Sequence, residues 1–522
     1  MFDTEQPAPK PAPAPADATG ESLDPADWAA FRAQSHRMLD DMIDFLAQVR
    51  TRPVWQPVPD DVKRRLAEPV PTQPTALPDV YAQFQELILP YATGNVHPGF
   101  FGWVHGSGTP TGMLAEMLAA GMNANVGGRD HGAVYVERQV IEWCRSLFGF
   151  PEGTSGVLVT GTSMANLIGL LVARTAKLGA SVRTDGIGER GQRLVAYCSS
   201  AAHGCIAKAM EMTGLGTKAL RCIAVDDHHR IDVAALAQTI AIDRQNGLVP
   251  FLVVGTAGTV DIAAIDDLTA LADLCAAQNI WFHVDGAFGA MAQLSPELAP
   301  RLAGIERADS LAFDFHKWLH VPYDAACILV RHGDLHAQTF SSQAPYLARV
   351  PRGLAAGAPW FCDYGPDLSR GFRALKVWFT LKEYGTERLG QAVLRNVALA
   401  RYLAERVAAT PELELLAPVQ LNIVCFRYHN PRLSEAQLNS LNADLVADLQ
   451  ASGIAAPSTT VLDRRLAIRV NITNHRSDAA MIDALLAAAV TRGKALEPSY
   501  VQRLASLFQK VTRPLPVGGG LF

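Results

Sequence analysis

Between about residues 155 and 331 the hydrophobic positions come in short, nearly unbroken runs: GVLVT, RLVAYCS, CIAVD, FLVVGTAG, IWFHVDG, SLAFDF and AACILVR. A strand that is apolar on both faces must be covered on both, and such runs alternating with helix-length segments build a parallel sheet. The pattern therefore predicts an α/β doubly wound domain. Its flanks carry a different period. From Asp27 to Val49 apolar residues fall three and four apart, the stripe of an amphipathic helix, and a Pro-punctuated connector leads to further helical stretches near 61–67 and 78–91. Beyond a Gly/Pro-rich stretch at 343–367, FRALKVWFTLKEYG and ERLGQAVLRNVALARYLAERV read as helix, followed by alternating strands at 420–428 and 465–472 and a helix near 478–491. The division expected is a Pro/Ala-rich tail (1–24), a helical segment (25–100), a large domain (101–400), a small α+β domain (401–495) and a C-terminal extension (496–522).

The chain has 522 residues, 49% of them hydrophobic, enough for a large core. Lys and Arg number 46 against 51 Asp and Glu, a formal charge of −5, so no basic surplus exists to neutralise a phosphate backbone and no nucleic-acid partner is expected. Eight cysteines without CxxC pairs signal neither a disulfide framework nor a zinc ribbon, and fit reduced thiols in the cytoplasm. The first residues lack the basic-then-apolar order of a secretory signal. No stretch reaches the roughly 18–20 uninterrupted apolar residues of a membrane-spanning helix, so no membrane association is expected.

In open α/β sheets ligands gather beyond the carboxyl ends of the strands, so the polar residues that terminate the runs are the candidates for chemistry. VLVT leads into Gly161-Thr162-Ser163 and a helix, an arrangement that suits a phosphate and equally suits an ordinary N-cap. IWFHVDGAF puts Asp285 inside an apolar strand, where a carboxylate needs a cation or hydrogen-bond donors; with His283 on the same strand face, it would also supply two ligands of a metal site. These three readings stand side by side. Lys317 in SLAFDFHKWLHVP follows a strand whose surroundings would desolvate it, lower its pKa and make it nucleophilic, and His203 follows another strand end. Together, a phosphate cradle, a ring-facing His, a buried Asp and a nucleophilic Lys are the parts that pyridoxal 5′-phosphate needs: an amine for its aldehyde, a carboxylate to keep its pyridine nitrogen protonated, a helix N-terminus for its phosphate. No metal is expected on this reading.

With these blocks in view, the chain resembles the group II pyridoxal-phosphate-dependent amino-acid decarboxylases, the family of aromatic-L-amino-acid decarboxylase, over nearly its whole length after the tail. HVDGAF is similar to that family's HVDAAY-type strand, DFHKW to its N/D-P-H-K-W block, AHGCIAKA to its AHSS-type segment, GTAGTVDI to its T-x-GTT segment and LSRGFRALKVWF to its GRRFRSLKMWF helix. The resemblance implies fold type I, with a mostly parallel seven-stranded sheet in the large domain. It also implies a homodimer whose helical N-terminal segment wraps the partner subunit, with active sites near the interface. By motif it implies Lys317 as the Schiff-base lysine, Asp285 as the pyridinium partner and His203 as the residue stacked on the cofactor ring. Thr162 and Ser163 are implied as phosphate holders, Ala287 as packing beneath the ring, Thr256 as lying near its hydroxyl side, and Asp314 with His316 at the phosphate edge. The implied reaction is decarboxylation of an L-amino acid to its amine.

The chain departs from the family at the proton donor. Relatives carry a Tyr in a mobile loop before the GRRFR-type helix; counting back from Phe372-Arg373 puts Phe361 near that position, with Tyr364 and Tyr346 as nearby alternatives and 343–366 as the loop. Tyr364 is taken as the candidate catalytic phenol. Without a phenol the carbanion left by decarboxylation lives longer and meets oxygen, so oxidative deamination to an aldehyde is an alternative activity, beside an aminotransferase or carbon–carbon lyase on the same fold. For the substrate, Phe100, Phe101, Trp103 and His105 in HPGFFGWVHGSGTP favour an aromatic side chain. Asn123 and Asn125 stand where aromatic-specific relatives contribute apolar residues from the neighbouring subunit, and leave a polar or acidic side chain open. Arg469 occupies the small-domain strand where many fold type I enzymes bind the substrate carboxylate, a structural ion pair being its other reading.

Overall fold

The computed structural model describes residues 22–342 and 348–511. Its strands, numbered along the chain, are β1 (Phe100–Phe101), β2 (Ser155–Val159), β3 (Leu194–Ser199), β4 (Leu220–Ile223), β5 (Val249–Thr256), β6 (Trp281–Asp285), β7 (Ser310–Asp314), β8 (Ala326–Val330), β9 (Leu413–Leu415), β10 (Ile423–Tyr428), β11 (Ala456–Leu462) and β12 (Arg465–Asn471). All seven apolar runs of the large domain enter one sheet, in the order β2-β8-β7-β6-β5-β3-β4. Only β8 runs against its neighbours. The exception has a local cause. Parallel neighbours need a crossover that returns to the starting edge, usually a helix, whereas residues 315–325 join β7 to β8 without one. Every residue of β3, β6, β7 and β8 is buried, and the helix Thr162–Leu178 packs along β5 to β8, which is what unbroken apolar runs require.

The small sheet has the order β1-β11-β12-β10-β9. Its β10 and β12 follow the alternating pattern, whereas β9, β11 and β1 escape it. APSTTVL contains a proline and three hydroxyl residues instead of an apolar run, and is recruited as β11 by a tight hairpin with β12. The turn residues Asp463 and Arg464 both have positive φ (48° and 66°), the left-handed pair that a two-residue turn requires and that Asn-Gly more often signals. β1 pairs in parallel with Ala456 and Pro457, and the Val54 N–H donates to the Gly453 carbonyl at 2.9 Å, so the segment leading to Phe101 is laid on the small sheet.

The first helix, Trp28–Ala47, begins where Asp27 accepts the Ala29 and Ala30 amides. Helices Asp60–Arg65 and Leu77–Leu87 follow. The long helix Arg373–Ala408 bends at Gly385 (φ 67°, ψ 163°), a conformation that glycine adopts without strain, and so carries the chain from the large sheet to the small one. The last helix, Ala479–Val511, runs well past the expected 478–491, through Pro498 and across the start of the expected C-terminal extension. Among the described residues no helix is long and apolar enough to cross a membrane.

One buried ion pair ties the loop before the long helix to the edge of the large sheet. Arg370 Nη1 lies 3.1 Å from Glu137 Oε2, and Nη2 donates to Oε1. The same guanidinium donates to the Val126 and Leu158 carbonyls, while Glu137 accepts the Leu158 N–H at 3.0 Å. Glu137→Leu strands the guanidinium in the core and is expected to destabilise the fold by about 3–5 kcal/mol, read as a shift of the urea unfolding midpoint.

Candidate active site

β5, β6 and β7 are parallel neighbours with Thr256 beside Asp285 and Asp285 beside Ala312, so their carboxyl ends arrive together. They open onto a cavity of about 340 Å³, lined by every residue that the motifs implied as a cofactor contact. The enclosed Lys317 ammonium pairs with Asp314 Oδ2 at 2.8 Å. Burial opposes its charge, but Asp314 and the more distant Asp285 prevail and lift its pKa above the ordinary lysine value. This corrects the expectation of a lowered pKa: desolvation is legible from the strand pattern, the two carboxylates that outweigh it are not.

The other oxygen of Asp314 accepts the Thr162 N–H at 2.8 Å, which aims the N-terminus of the helix Thr162–Leu178 at the cavity; Gly161, as N-cap, has no side chain to occupy the remaining amides. The buried hydroxyls of Thr162 and Thr256 have no hydrogen-bond partner. Two orphaned hydroxyls, the Ser163 amide at the helix N-terminus, an enclosed amine and a buried carboxyl fit a phosphorylated, hydroxylated pyridine aldehyde, as pyridoxal phosphate is. His203 stands at the exposed side, with Nδ1 accepting the Cys205 N–H at 3.2 Å. Cys205 also lines the cavity, but burial pushes its thiol up to about 12, leaving it unreactive.

Asp285 is held by a chain of buried groups that sequence reasoning missed. Its Oδ1 accepts the Ala287 N–H (3.1 Å) and its Oδ2 the Asn166 amide (2.9 Å). Asn166 Oδ1 meets His283 Nε2 at 2.8 Å, His283 Nδ1 meets Ser310 Oγ at 2.7 Å, and Trp281 Nε1 donates to the same Oγ at 2.8 Å. An indole N–H only donates and a carboxylate only accepts, so every proton in the chain points from Trp281 toward Asp285. This direction makes His283 the Nε2–H tautomer. Burial lowers its pKa to about 3 and keeps it neutral. Both of its nitrogens are engaged, so no lone pair remains for the metal reading. Gly169 makes the arrangement possible, since a Cβ there would lie 2.8 Å from the imidazole. Burial pushes the Asp285 carboxyl above the usual carboxylate range, against the pull of Lys317, the Ala287 N–H and Asn166.

Of the residues expected to contact substrate, Trp103 and His105 line the cavity. Phe101 does not: it is fully buried in the core of the small domain, while Phe100 stacks behind Trp103 and His105 at 6.2 and 5.6 Å and packs on Val54 and Ala456. The two are adjacent on a strand and face opposite ways. Asn123 is the left-handed C-cap of the helix Pro110–Met122, and Asn125 Oδ1 accepts the Gly127 and Arg370 amides; neither lines the cavity of its own chain, and the expectation placed them at that of the neighbouring subunit. Tyr364 is elsewhere too, 4.9 Å from the ring of His336, with Asp363, Asp334, Arg138 and Arg349 among its charged neighbours; Phe361 is buried under Arg370, and Tyr346 lies outside the described residues. Arg469 forms no ion pair among the described residues. It donates to the Val260 carbonyl, the Trp103 carbonyl (2.8 Å) and Ser458 Oγ, so its guanidinium is spent on holding two stretches of the cavity wall. Gly106 is glycine because a Cβ would fall 1.9 Å from the His316 carbonyl oxygen, so the strip carrying His105 packs directly on the backbone around Lys317.

Residues 59–429 match the family model of the pyridoxal-dependent decarboxylase conserved domain. The chain is 34% identical over 452 residues to an aromatic-L-amino-acid decarboxylase of Bacillus atrophaeus, covering 85% of this chain and 92% of that one. It is 28% identical to a phenylacetaldehyde synthase of Arabidopsis thaliana, covering 87% and 94%. Among solved structures, Oryza sativa TDC with PLP and tryptamine superposes with a TM-score of 0.84 at 25% identity, over 91% of this chain and all of that one.

Asn166→Ala removes the last donor of the chain that ends on Asp285. The variant is expected to bind pyridoxal phosphate about 10- to 100-fold more weakly by equilibrium dialysis, the worth of one charge-assisted hydrogen bond.

Proposed function

The chain belongs to the pyridoxal-dependent decarboxylase family, and from that premise we propose that it decarboxylates an aromatic L-amino acid to the amine, using Lys317, Asp285 and His203 as its central residues. Pyridoxal phosphate, when bound, supplies the electron sink that accepts the pair left by the departing carboxylate carbon. The observation that carries the reading is the convergence of all the implied cofactor residues on one cavity beyond the strand ends. Lys317 is the amine that holds the cofactor aldehyde. Asp285, supplied with donors by Ala287 and Asn166, holds the proton on the ring nitrogen. The amides that open the helix Thr162–Leu178, with the Thr162 and Ser163 hydroxyls, hold the phosphate. His203 covers the open side and Ala287 the enclosed one, while Thr256, Asp314 and His316 complete the rim.

The wall formed by Trp103, Val104, Val260 and Phe288 supports an aromatic side chain. No arginine lines the cavity among the described residues, and Arg469, the side chain that could have bound a carboxylate, is occupied by main-chain carbonyls. This supports loss of the carboxylate over its retention, and so decarboxylation over transamination. It also disfavours an acidic substrate side chain.

We further propose a homodimer. Trp28, Phe31 and Ile43 on the first helix, and Leu114, Met117, Leu118 and Met122 on the helix Pro110–Met122, leave large apolar side chains exposed, and such a surface is expected to be covered. The eight free cysteines, six of them buried, support a reducing cytoplasmic setting.

A second reading is favoured by Phe361, which is buried and stands near the position where the family resemblance implies a Tyr: decarboxylation coupled to oxygen, giving an aldehyde, ammonia and peroxide. Incubating the cofactor-loaded enzyme with the twenty amino acids and quantifying products is expected to give amine and carbon dioxide in equal amounts from an aromatic one. Aldehyde with stoichiometric peroxide would establish the second reading, and a 2-oxo acid without carbon dioxide would refute both. Capture of the cofactor aldehyde requires a neutral Lys317. Its rate in the apoenzyme is therefore expected to rise with pH up to the raised lysine pKa. In Asp314→Asn, where burial outweighs the remaining carboxylate, the rise should move to lower pH in a borohydride-trapping profile.

A further inference from the structure

His320, three residues beyond Lys317, lines a separate groove of about 570 Å³ with Thr109, Tyr384, Arg388, Arg395 and His475. Four parts of the fold meet there. Thr109 caps the helix Pro110–Met122, Tyr384 sits just before the bend at Gly385, Arg388 and Arg395 lie on the arm beyond it, and His475 follows β12. Seven residues apart, the two arginines stand two helical turns apart on one face. No lining residue is acidic. Arg388 makes no ion pair or hydrogen bond among the described residues and only leans on the Tyr384 ring, 5.1 Å from its centroid; Arg395 donates to the His475 carbonyl.

The floor beneath these exposed guanidinium groups is anomalous. His320 is 2% exposed, yet neither of its ring nitrogens has a hydrogen-bond partner. A buried imidazole left so is disfavoured unless something enters to meet it. His475, its ring centroid 4.9 Å away, bonds Ser107 Oγ through Nδ1. Arg476 adds positive charge, with Nη1 donating to the Ser107 and Gly108 carbonyls. Burial and the surrounding guanidinium charge lower the pKa of His320 to about 3 and that of His475 to about 2, so both rings are neutral and His320 offers an N–H without further charge. Cations with no carboxylate among them and an unmet donor at the floor make a surface that lacks an anion.

We infer that this groove binds a small dianionic oxyanion, phosphoryl or dicarboxylate, with Arg388 and Arg395 taking its charge at the rim and the His320 N–H meeting it at the floor. Guanidinium forks match such oxygens in pairs, which a spherical halide does not exploit. The ligand joins the arm beyond Gly385 to the segment that carries Lys317. That segment is already anchored to the same arm through Trp318 Nε1 and Asn396 Oδ1, 2.9 Å apart. Occupancy therefore stabilises the relation between the two domains.

The test uses the holoenzyme, in which the phosphate site of the catalytic cavity is filled. Inorganic phosphate and succinate are titrated separately by calorimetry and thermal unfolding, each against sodium chloride at equal ionic strength. We expect one saturable site per chain and a rise in thermal midpoint that chloride does not reproduce. Saturation by phosphate identifies a phosphoryl ligand, and saturation by succinate alone a dicarboxylate. The R388Q/R395Q variant, altered only at the exposed rim, should bind at least tenfold more weakly with its cofactor absorption unchanged. Absence of saturation by both anions, or equal binding by the variant and the parent, overturns the inference.

Discussion

Two carboxylates buried at adjacent strand ends, facing one ammonium, are the condition around which this structure is arranged. Asp285 and Asp314 are each almost wholly removed from water, and a buried charge persists only where donors surround it. Asp314 receives the Lys317 ammonium and the first amide of the helix Thr162–Leu178. Asp285 receives the Ala287 amide and, through Asn166, the end of a proton chain that begins at Trp281. One helix thus serves both acids, and Gly169 lets it approach closely enough to do so. Having satisfied the carboxylates, the helix is left with its N-terminus turned into the cavity.

The opposite wall is governed by a different residue. Arg469 is buried without a direct ion pair among the described residues, Asp261 acting on it only at a distance, and is kept there by carbonyl oxygens from the Val260 and Trp103 stretches, one in the large domain and one leading from β1. A charged side chain is thereby used as a geometric clamp, and its charge is unavailable to substrate. The pocket owes its apolar character as much to this engagement as to the aromatic rings that line it.

How much of this was legible beforehand followed the range of the interactions. The large sheet was readable because strands buried on both faces write themselves as unbroken apolar runs. β11 was not, because a strand made by hairpin pairing needs no such run. Lys317, Asp285 and His203 sit in short blocks whose residue types suit the chemistry proposed for them, and all three line the one cavity. Asn166, Ser310 and Trp281 look like ordinary polar and aromatic residues, and their significance arises only when β6, β7 and the helix come together. Phe101 was misread for the complementary reason: proximity in sequence to Trp103 says nothing about which way a side chain faces. The direction of the Lys317 shift needed the balance of burial against two charges, and a strand pattern conveys only the first.

β1 is only two residues long, yet it makes the strip bearing Trp103 and His105 a continuation of the small sheet, while the groups proposed to hold the cofactor belong to the large one. One wall of the cavity is thus carried by the small sheet, while Val260, Phe288 and the strand ends that complete it belong to the large domain. Substitutions in β1 and β11 therefore move the Trp103–His105 wall of the cavity while leaving untouched the proton chain behind Asp285, which lies wholly in β6, β7 and the helix Thr162–Leu178.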